Sequence, residues 1–347
     1  MLIADRVGTE VAEQCRRIEQ DTGANLGMQG VEATLIGEPA DMVVIAPDDR
    51  PGVQRHALAV HRSRKRIAPF RLHIPTSAPE ALSLLRERPR ACVLAGGIDV
   101  INRMKSGAEP EDVVYIGRID ALRRIAQSQD GLHIGATCTH HELATSPIAA
   151  RAAPALPSVW GSLASPRIRF KGTVGGNLMA NEPAYEGPSI LSAMGADLRF
   201  LTPAGVRMVS CVEYFRARRQ DPTWQDPTWL LEAVVVPCNR AIRLDYDRSF
   251  KGVAGVVLAL AIEGDVVIGA RAAATWAFPQ PWCADLPIEQ PTPIATLPGR
   301  AGMLARAWAA ALPEPTTDHL ASGGYRRRII EVHLRRALER ATRGGAA

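Results

Sequence analysis

The sequence predicts a fold of mixed helices and strands whose character changes near residue 240. Three observations carry that reading. Phe70-Arg71-Leu72-His73-Ile74 alternates as a strand, and Pro75-Thr76-Ser77 then offers a turn and a helix cap. Cys92-Val93-Leu94 is short and apolar, as a buried strand is, and runs straight into Ala95-Gly96-Gly97 ahead of a helical stretch from Val100 to Lys105. Beyond residue 240, Val253 to Ile262 and Val266 to Ala274 read as adjacent antiparallel strands joined by Glu263-Gly264-Asp265, and two helices close the chain.

Taken in order, residues 1–66 read as an extension without evident chemistry. It holds a helix from Val7 to Glu19, strands at Ala33-Thr34-Leu35-Ile36 and Met42-Val43-Val44-Ile45, and a turn at Asp48, Asp49, Pro51 and Gly52. The helix after Ser77 places Ala81, Leu82, Leu84 and Leu85 on or near one face. A strand at Leu132-His133-Ile134, a helix near His141 and a long Ala- and Pro-rich helical region up to Leu163 follow. Next comes a Gly-rich turn, Gly172-Thr173-Val174-Gly175-Gly176-Asn177. Gln220-Asp221-Pro222-Thr223-Trp224 is repeated at once as Gln225-Asp226-Pro227-Thr228-Trp229. Its prolines make it a loop, read as a duplication tolerated at the surface or as a partner-binding loop. A Pro-rich connection spans Phe278 to Pro298. The closing helices run from Gly302 to Leu312 and from Tyr325 to Arg340, the second with Ile330, Leu334, Ala337, Leu338 and Ala341 at helical spacing.

Composition removes several function classes. The chain has 347 residues, enough for two or three cores, and its 46% hydrophobic content is ordinary. No apolar run is long enough for a membrane span, and the charged start, Met1 to Arg6, lacks a signal-peptide core, so a cytoplasmic address is expected. The six cysteines, Cys15, Cys92, Cys138, Cys211, Cys238 and Cys283, lack the spacing of a zinc ribbon or of a clustered iron–sulfur ligand set. The net charge of +5 is too balanced to point to nucleic acid. The arginines of the last helix and the run His61 to Arg66 read as a solvated face or a docking surface between subunits.

The chemistry concentrates in two double-glycine turns, each placed to end a buried strand. Glycine tolerates positive φ and lets a ligand come close to the main chain. Successive N–H groups in such turns form anion-binding concavities, so two facing turns would cradle a pyrophosphate without a lysine. Neither turn is the dinucleotide fingerprint G-x-G-x-x-G or a P-loop. His140 and His141 are sequence neighbours, so they cannot both face one metal on a helix.

The order of segments is more specific than any one of them. Val93-Leu94-Ala95-Gly96-Gly97-Ile98-Asp99 is followed by Thr139-His140, then by Arg167-Ile168-Arg169, Thr173-Val174-Gly175-Gly176-Asn177 and Pro183-Ala184, with Tyr325-Arg326-Arg327 near the end. Over residues 67–342 this resembles the FAD-binding medium subunit of the molybdenum hydroxylases, the group of xanthine dehydrogenase and aerobic carbon monoxide dehydrogenase. The resemblance implies an α+β fold, with a two-subdomain FAD-binding portion over 67–240 and a domain of small antiparallel sheet plus helices over 241–347. It implies that Val93 to Asp99 and Thr173, Gly175, Gly176 and Asn177 hold FAD, with Thr139 and His140 near the flavin, although His140 and His141 serve equally as capping residues. It further implies a large partner carrying the molybdenum cofactor, a small partner carrying two [2Fe–2S] clusters, and a dimer of such heterotrimers.

Three departures stand out. Glu186 occupies the place of a family aspartate, Phe170 follows Arg169 where an asparagine is usual, and Leu163 falls where a relative has an aromatic ring by the flavin, which leaves Tyr185 as an alternative cover. The rival readings are a self-contained flavin oxidase and a scaffold that has lost FAD.

Overall fold

The structure, a computed structural model, describes residues 42–44, 67–180, 182–238, 241–250 and 252–341. The expected helix from Val7 to Glu19, the strand from Ala33 to Ile36 and the turn at 48–52 lie outside the described residues.

Three sheets organise the chain. The first contains β1 (Met42–Val44), β2 (Arg71–His73), β3 (Cys92–Leu94) and β4 (Asp112–Tyr115) in the order β1-β2-β4-β3. β2 and β3 run parallel to β4, and β1 pairs antiparallel with β2, so part of the expected extension is an edge strand. Helix Ala78–Glu87 is capped by the Ser77 hydroxyl, which accepts from the Glu80 N–H at 3.3 Å. Its Ala81 and Leu85 are buried against Val114 and Leu122. The expectation that β3 is a buried strand needs correction. All three residues are half-buried, and Cys92 and Val93 wall a cavity instead of packing on a covering layer.

The second sheet is antiparallel: β5 (Ile125–Gln127), β6 (Leu132–Gly135), β7 (Asp197–Thr202), β8 (Gly205–Ser210) and β9 (Leu230–Val236), in the order β5-β6-β9-β7-β8. The long helix expected up to Leu163 is three helices, His140–Thr145, Pro147–Ala152 and Ala155–Gly161. Pro147 explains the first break. It keeps Ser146 out of helical conformation, and the freed Ser146 hydroxyl caps the next helix by accepting from the Ala149 N–H at 3.2 Å. Pro154 stands at the second break.

The third sheet orders β10 (Ala241–Arg248), β11 (Gly255–Glu263), β12 (Val266–Thr275) and β13 (Trp282–Asp285) side by side, with β14 (Thr292–Pro293) also on β12. The expected hairpin is present, its turn relieved by Gly264 at φ 57°. β13 and β14 fall inside the Pro-rich connection, where alternation did not reveal them. The period of two along β11 serves two cores. Val257 and Ala259 join the core shared with the second sheet and helix Gly187–Met194, whereas Val256, Leu258 and Leu260 pack toward helices Leu297–Ala311 and Gly323–Arg340.

The last helix carries a clamp. Arg326 is 1% exposed, forms a bidentate pair with Asp318 at 2.7 and 2.7 Å, and donates to the carbonyls of Val253 and Trp276. Arg327 donates to the carbonyls of Ala309 and Leu312, and Arg340 pairs with Asp245 and Asp247. These three arginines are engaged within the chain and do not form the free basic face expected from sequence.

Candidate functional site

One cavity of about 1010 Å³ takes wall residues from the first two sheets and from the loops at Arg248–Phe250 and Trp276. Its floor is where the two glycine motifs meet.

The first motif leaves β3 and enters helix Ile98–Lys105. Gly97 stands at the helix start with φ 80°, a left-handed conformation that L side chains disfavour. Gly96 is constrained by space. A Cβ there would lie 1.8 Å from the Lys171 carbonyl oxygen and 3.2 Å from the Gly172 Cα.

The second motif is not the extended turn expected from sequence. Thr173 caps helix Val174–Met179, its hydroxyl accepting from the Gly176 N–H at 3.1 Å, so Gly175, Gly176 and Asn177 are helical. Glycine is required here for close approach. The segment from Ala136 to His140 runs beside 172–175, with Val174 N–H to the Cys138 carbonyl and Gly175 N–H to the Ala136 carbonyl both at 2.8 Å. A Cβ on Gly175 would sit 2.7 Å from both the Ala136 Cβ and its carbonyl oxygen. Gly176 is less confined, meeting only the Thr173 Oγ1 at 2.8 Å.

Of the residues singled out from sequence, Val93, Ala95, Gly96, Gly97, Ile98, Asp99, His140, Thr173, Gly175, Gly176, Asn177 and Glu186 line the cavity. Leu94 and Thr139 do not. The Leu94 carbonyl accepts from the Ile116 N–H at 2.9 Å, and Thr139 forms a capping box with Glu142, exchanging bonds at 3.2 and 2.8 Å. Leu163 and Tyr185 both reach the wall. Asn177 Oδ1 is buried against Gly187, where a Cβ would lie 2.2 Å from it, and has no hydrogen-bond partner among the described residues. Phe170 is 58% exposed and stacks on His141 with ring centroids 4.2 Å apart, so His141 turns away from its neighbour.

The charged groups are arranged around this floor. Asp99 pairs with Arg103 at 2.7 Å and accepts from the Tyr185 hydroxyl; burial nevertheless pushes its carboxyl above the ordinary aspartate value. Arg103 also donates to the Ala180 carbonyl, tying the two motif helices together. Glu186 pairs with Arg248 at 2.8 Å and accepts from the Tyr246 hydroxyl at 3.4 Å, while burial raises its pKa. Arg248 donates to the Ser162 carbonyl at 2.8 Å. Trp276, at φ 63°, donates its indole N–H to the Ala184 carbonyl at 2.8 Å.

His140 is neutral for a structural reason. The Trp160 indole N–H donates to its Nδ1 at 2.8 Å, and burial lowers its pKa from 6.5 to about 4. In this case the unfolded chain binds the proton and the folded chain resists it. Stability is therefore fully present above pH 6.5 and is lost as pH falls toward about 4. We predict a loss from this group of about 1.4 kcal/mol per pH unit across that window. Denaturant titrations of wild type and His140→Gln at several pH values check it. Parallel slopes for the two proteins would contradict it.

Sequence reasoning passed over Tyr214, Arg218, Arg248 and Trp276, all of which line the cavity, and gave Arg103, which also lines it, no role at the site. It noticed the tandem duplication but read it outward. Trp224, Asp226, Pro227 and Trp229 instead form part of the cavity wall. The available signal was two large aromatic residues in a loop, an expensive choice for a purely solvated segment.

A cavity of about 1010 Å³ floored by two adjoining glycine motifs, with charged pairs on its wall, fits a dinucleotide cofactor. Comparison with known proteins makes this specific. Residues 68–239 match the family of the FAD binding domain in molybdopterin dehydrogenase. The carbon monoxide dehydrogenase medium chain of Afipia carboxidovorans is 29% identical over 280 residues, which cover 78% of this chain and 96% of the relative. The medium chain of the same enzyme from Hydrogenophaga pseudoflava is 33% identical over 148 residues, covering 42% of this chain and 52% of the relative. The solved structure of the Hydrogenophaga pseudoflava enzyme lacking the Mo-pyranopterin moiety of its cofactor superposes with a TM-score of 0.69 at 26% identity, covering 78% of this chain and 96% of that one. The chain belongs to the FAD-binding medium subunits of the molybdenum hydroxylase family and is an oxidoreductase subunit whose cofactor is FAD. Among the described residues no helix is long and apolar enough to cross a membrane.

Proposed function

We propose that this chain is the electron-relay subunit of a molybdenum hydroxylase, passing electrons from a partner's [2Fe–2S] clusters through FAD to an external acceptor. The observation that carries the reading is the contact between the two motifs, Gly96 against Lys171 and Gly172, which brings both to one cavity floor. FAD fits this chain's residues: the cavity is about 1010 Å³ and its floor admits no Cβ at Gly96 or Gly175. The motif residues Val93, Ala95 to Asp99, Thr173 and Gly175 to Asn177 would hold the cofactor, with His140 and Glu186 on the walls. Leu94 and Thr139 would contribute by fixing the two segments. Bound FAD supplies the capacity to take electrons one at a time and to pass them on singly or in pairs.

The protein's part is positional. Glycine would let the diphosphate come close to the main chain, Tyr185 and Leu163 line the cavity, and the Glu186–Arg248 pair lies on its wall. The N–H groups of Val174, Gly175 and Gly176 are themselves taken up by Cys138, Ala136 and Thr173. On this reading 67–240 is the FAD-binding portion and 241–347 a closing domain whose loop and Trp276 complete the wall. The catalytic partners are a large molybdenum-cofactor subunit and a small iron–sulfur subunit, assembled as a dimer of heterotrimers in the cytoplasm. The medium-chain relatives, which this chain covers nearly end to end in one case, support that assignment.

The expected result is one non-covalent FAD per chain. Acid precipitation of the purified, full-length protein releases FAD into the supernatant. Flavin that stays on the denatured chain contradicts non-covalent binding, and a colourless chain that takes up no FAD contradicts the reading as a whole.

A further inference from the structure

The two glycine motifs bring main chain to the cavity floor and no cation of their own. A further charge lies on the cavity wall. Arg218, on helix Cys211–Gln220, lines the cavity and is 8% exposed. Its Nε and Nη1 have no hydrogen-bond partner among the described residues. Its guanidinium lies 5.7 Å from the centre of the Tyr214 ring and hydrogen-bonds to that side chain, its one neutral partner, while the charge it feels most besides is another cation, Arg103. Arginine stays charged in proteins, and an uncompensated cation taken out of water is strongly unfavourable. Such a group persists where a bound anion completes its coordination.

We propose that Arg218 supplies a charged contact to the diphosphate of the bound dinucleotide, adding an ionic anchor to the glycine cradle. The inference rests on the flavin reading above. A guanidinium matches phosphate oxygens as a fork of parallel donors, which gives both charge and orientation.

The tandem duplication walls this corner with aromatic side chains. Its two copies make twin turns: Asp221 accepts from the Thr223 N–H at 2.9 Å, and Asp226 from the Thr228 N–H at 2.8 Å. The equivalent tryptophans, Trp224 and Trp229, then flank Arg207, whose guanidinium lies 4.7 and 4.6 Å from their ring centroids. Trp224 touches Tyr214 with centroids 6.4 Å apart, so the aromatic wall continues to the ring beneath Arg218. The Tyr214 hydroxyl donates to the Met179 sulfur at 3.6 Å and fixes this helix against the end of the second motif's helix. Shielding of this kind raises the strength of an ionic contact above its value at an open surface.

The experiment uses the full-length chain stripped of flavin. FAD, ADP and riboflavin are titrated into wild type, Arg218→Gln and Arg218→Lys by calorimetry. The proposal predicts that Arg218→Gln weakens both FAD and ADP by about tenfold to a hundredfold, as loss of a charge-assisted bond does, and leaves riboflavin, which lacks phosphate, unchanged. Arg218→Lys recovers part of the loss. The flavin-free Arg218→Gln protein keeps the wild-type circular dichroism and a cooperative melt, because the removed charge pairs with no carboxylate and meets only the neutral Tyr214 side chain. Equal FAD affinity in wild type and Arg218→Gln overturns the proposal, as does an equal loss for riboflavin, which marks general collapse of the cavity. A wild-type chain that binds no FAD overturns the flavin reading instead.

Discussion

Gly96→Val leaves the purified chain almost free of FAD. The Cβ alone would lie 1.8 Å from the Lys171 carbonyl oxygen, and both neighbours are backbone, so no rotamer change relieves it. The two motifs must separate, and the cavity floor that they share opens with them. Overpacking against unyielding atoms costs about 3 kcal/mol, or roughly a hundredfold in flavin affinity if the motif absorbs the whole strain. Gly97→Val acts through a different cause, the left-handed φ of 80°, and is expected to weaken binding by about tenfold. Gly176→Val is the mildest, since its Cβ meets only the Thr173 hydroxyl, at 2.8 Å, and costs the helix cap. Flavin content and circular dichroism measured together test this order. Normal flavin occupancy in Gly96→Val, or a ranking with Gly176→Val worst, contradicts it.

Arg326→Met is the substitution expected to cost most in stability. The side chain is 1% exposed, and its removal breaks a bidentate pair with Asp318 and abandons two carbonyls, those of Val253 and Trp276. Removing one partner of a buried pair costs about 3–5 kcal/mol; Asp318 remains partly exposed, which favours the lower end. The loss reaches the site as well. Ser249, Phe250 and Trp276 line the cavity, and Arg326 holds the carbonyls of Trp276 and of Val253 beyond that loop. Denaturant unfolding is expected to show a lower midpoint at unchanged slope. A stability change below about 1 kcal/mol contradicts the clamp.

The parts of this fold that could be read from sequence are those where one local rule acts alone. The hairpin of β11 and β12 was legible because two apolar runs are joined by the short turn Glu263-Gly264-Asp265. The last helix was legible because Ile330, Leu334, Ala337 and Leu338 fall on one buried face. The long helix to Leu163 failed where Ser146-Pro147 competes with a high alanine content. Strands β7, β8 and β9 were not anticipated: β7 and β8 form a tight hairpin at Pro203-Ala204 that went unread, and β9 takes its place between β6 and β7, partners distant from it in sequence. The glycine motifs announced the site, but for the wrong reason in the second case. Gly175 is needed for the approach of Ala136 and not for a left-handed turn, a contact that spans distant segments. The same limit hid Arg218 and the inward face of the duplicated loop, whose surroundings are set by tertiary packing.

The relay itself is tested most directly by rapid mixing. The FAD-loaded chain is mixed separately with a chemically reduced [2Fe–2S] partner subunit and with organic hydroxylation substrates, and flavin absorbance is followed. The account predicts that the flavin absorbance bleaches as the clusters reoxidise and that substrates alone leave it unchanged. Rapid bleaching by a substrate without any partner, or a flavin that the reduced cluster subunit does not touch, contradicts it.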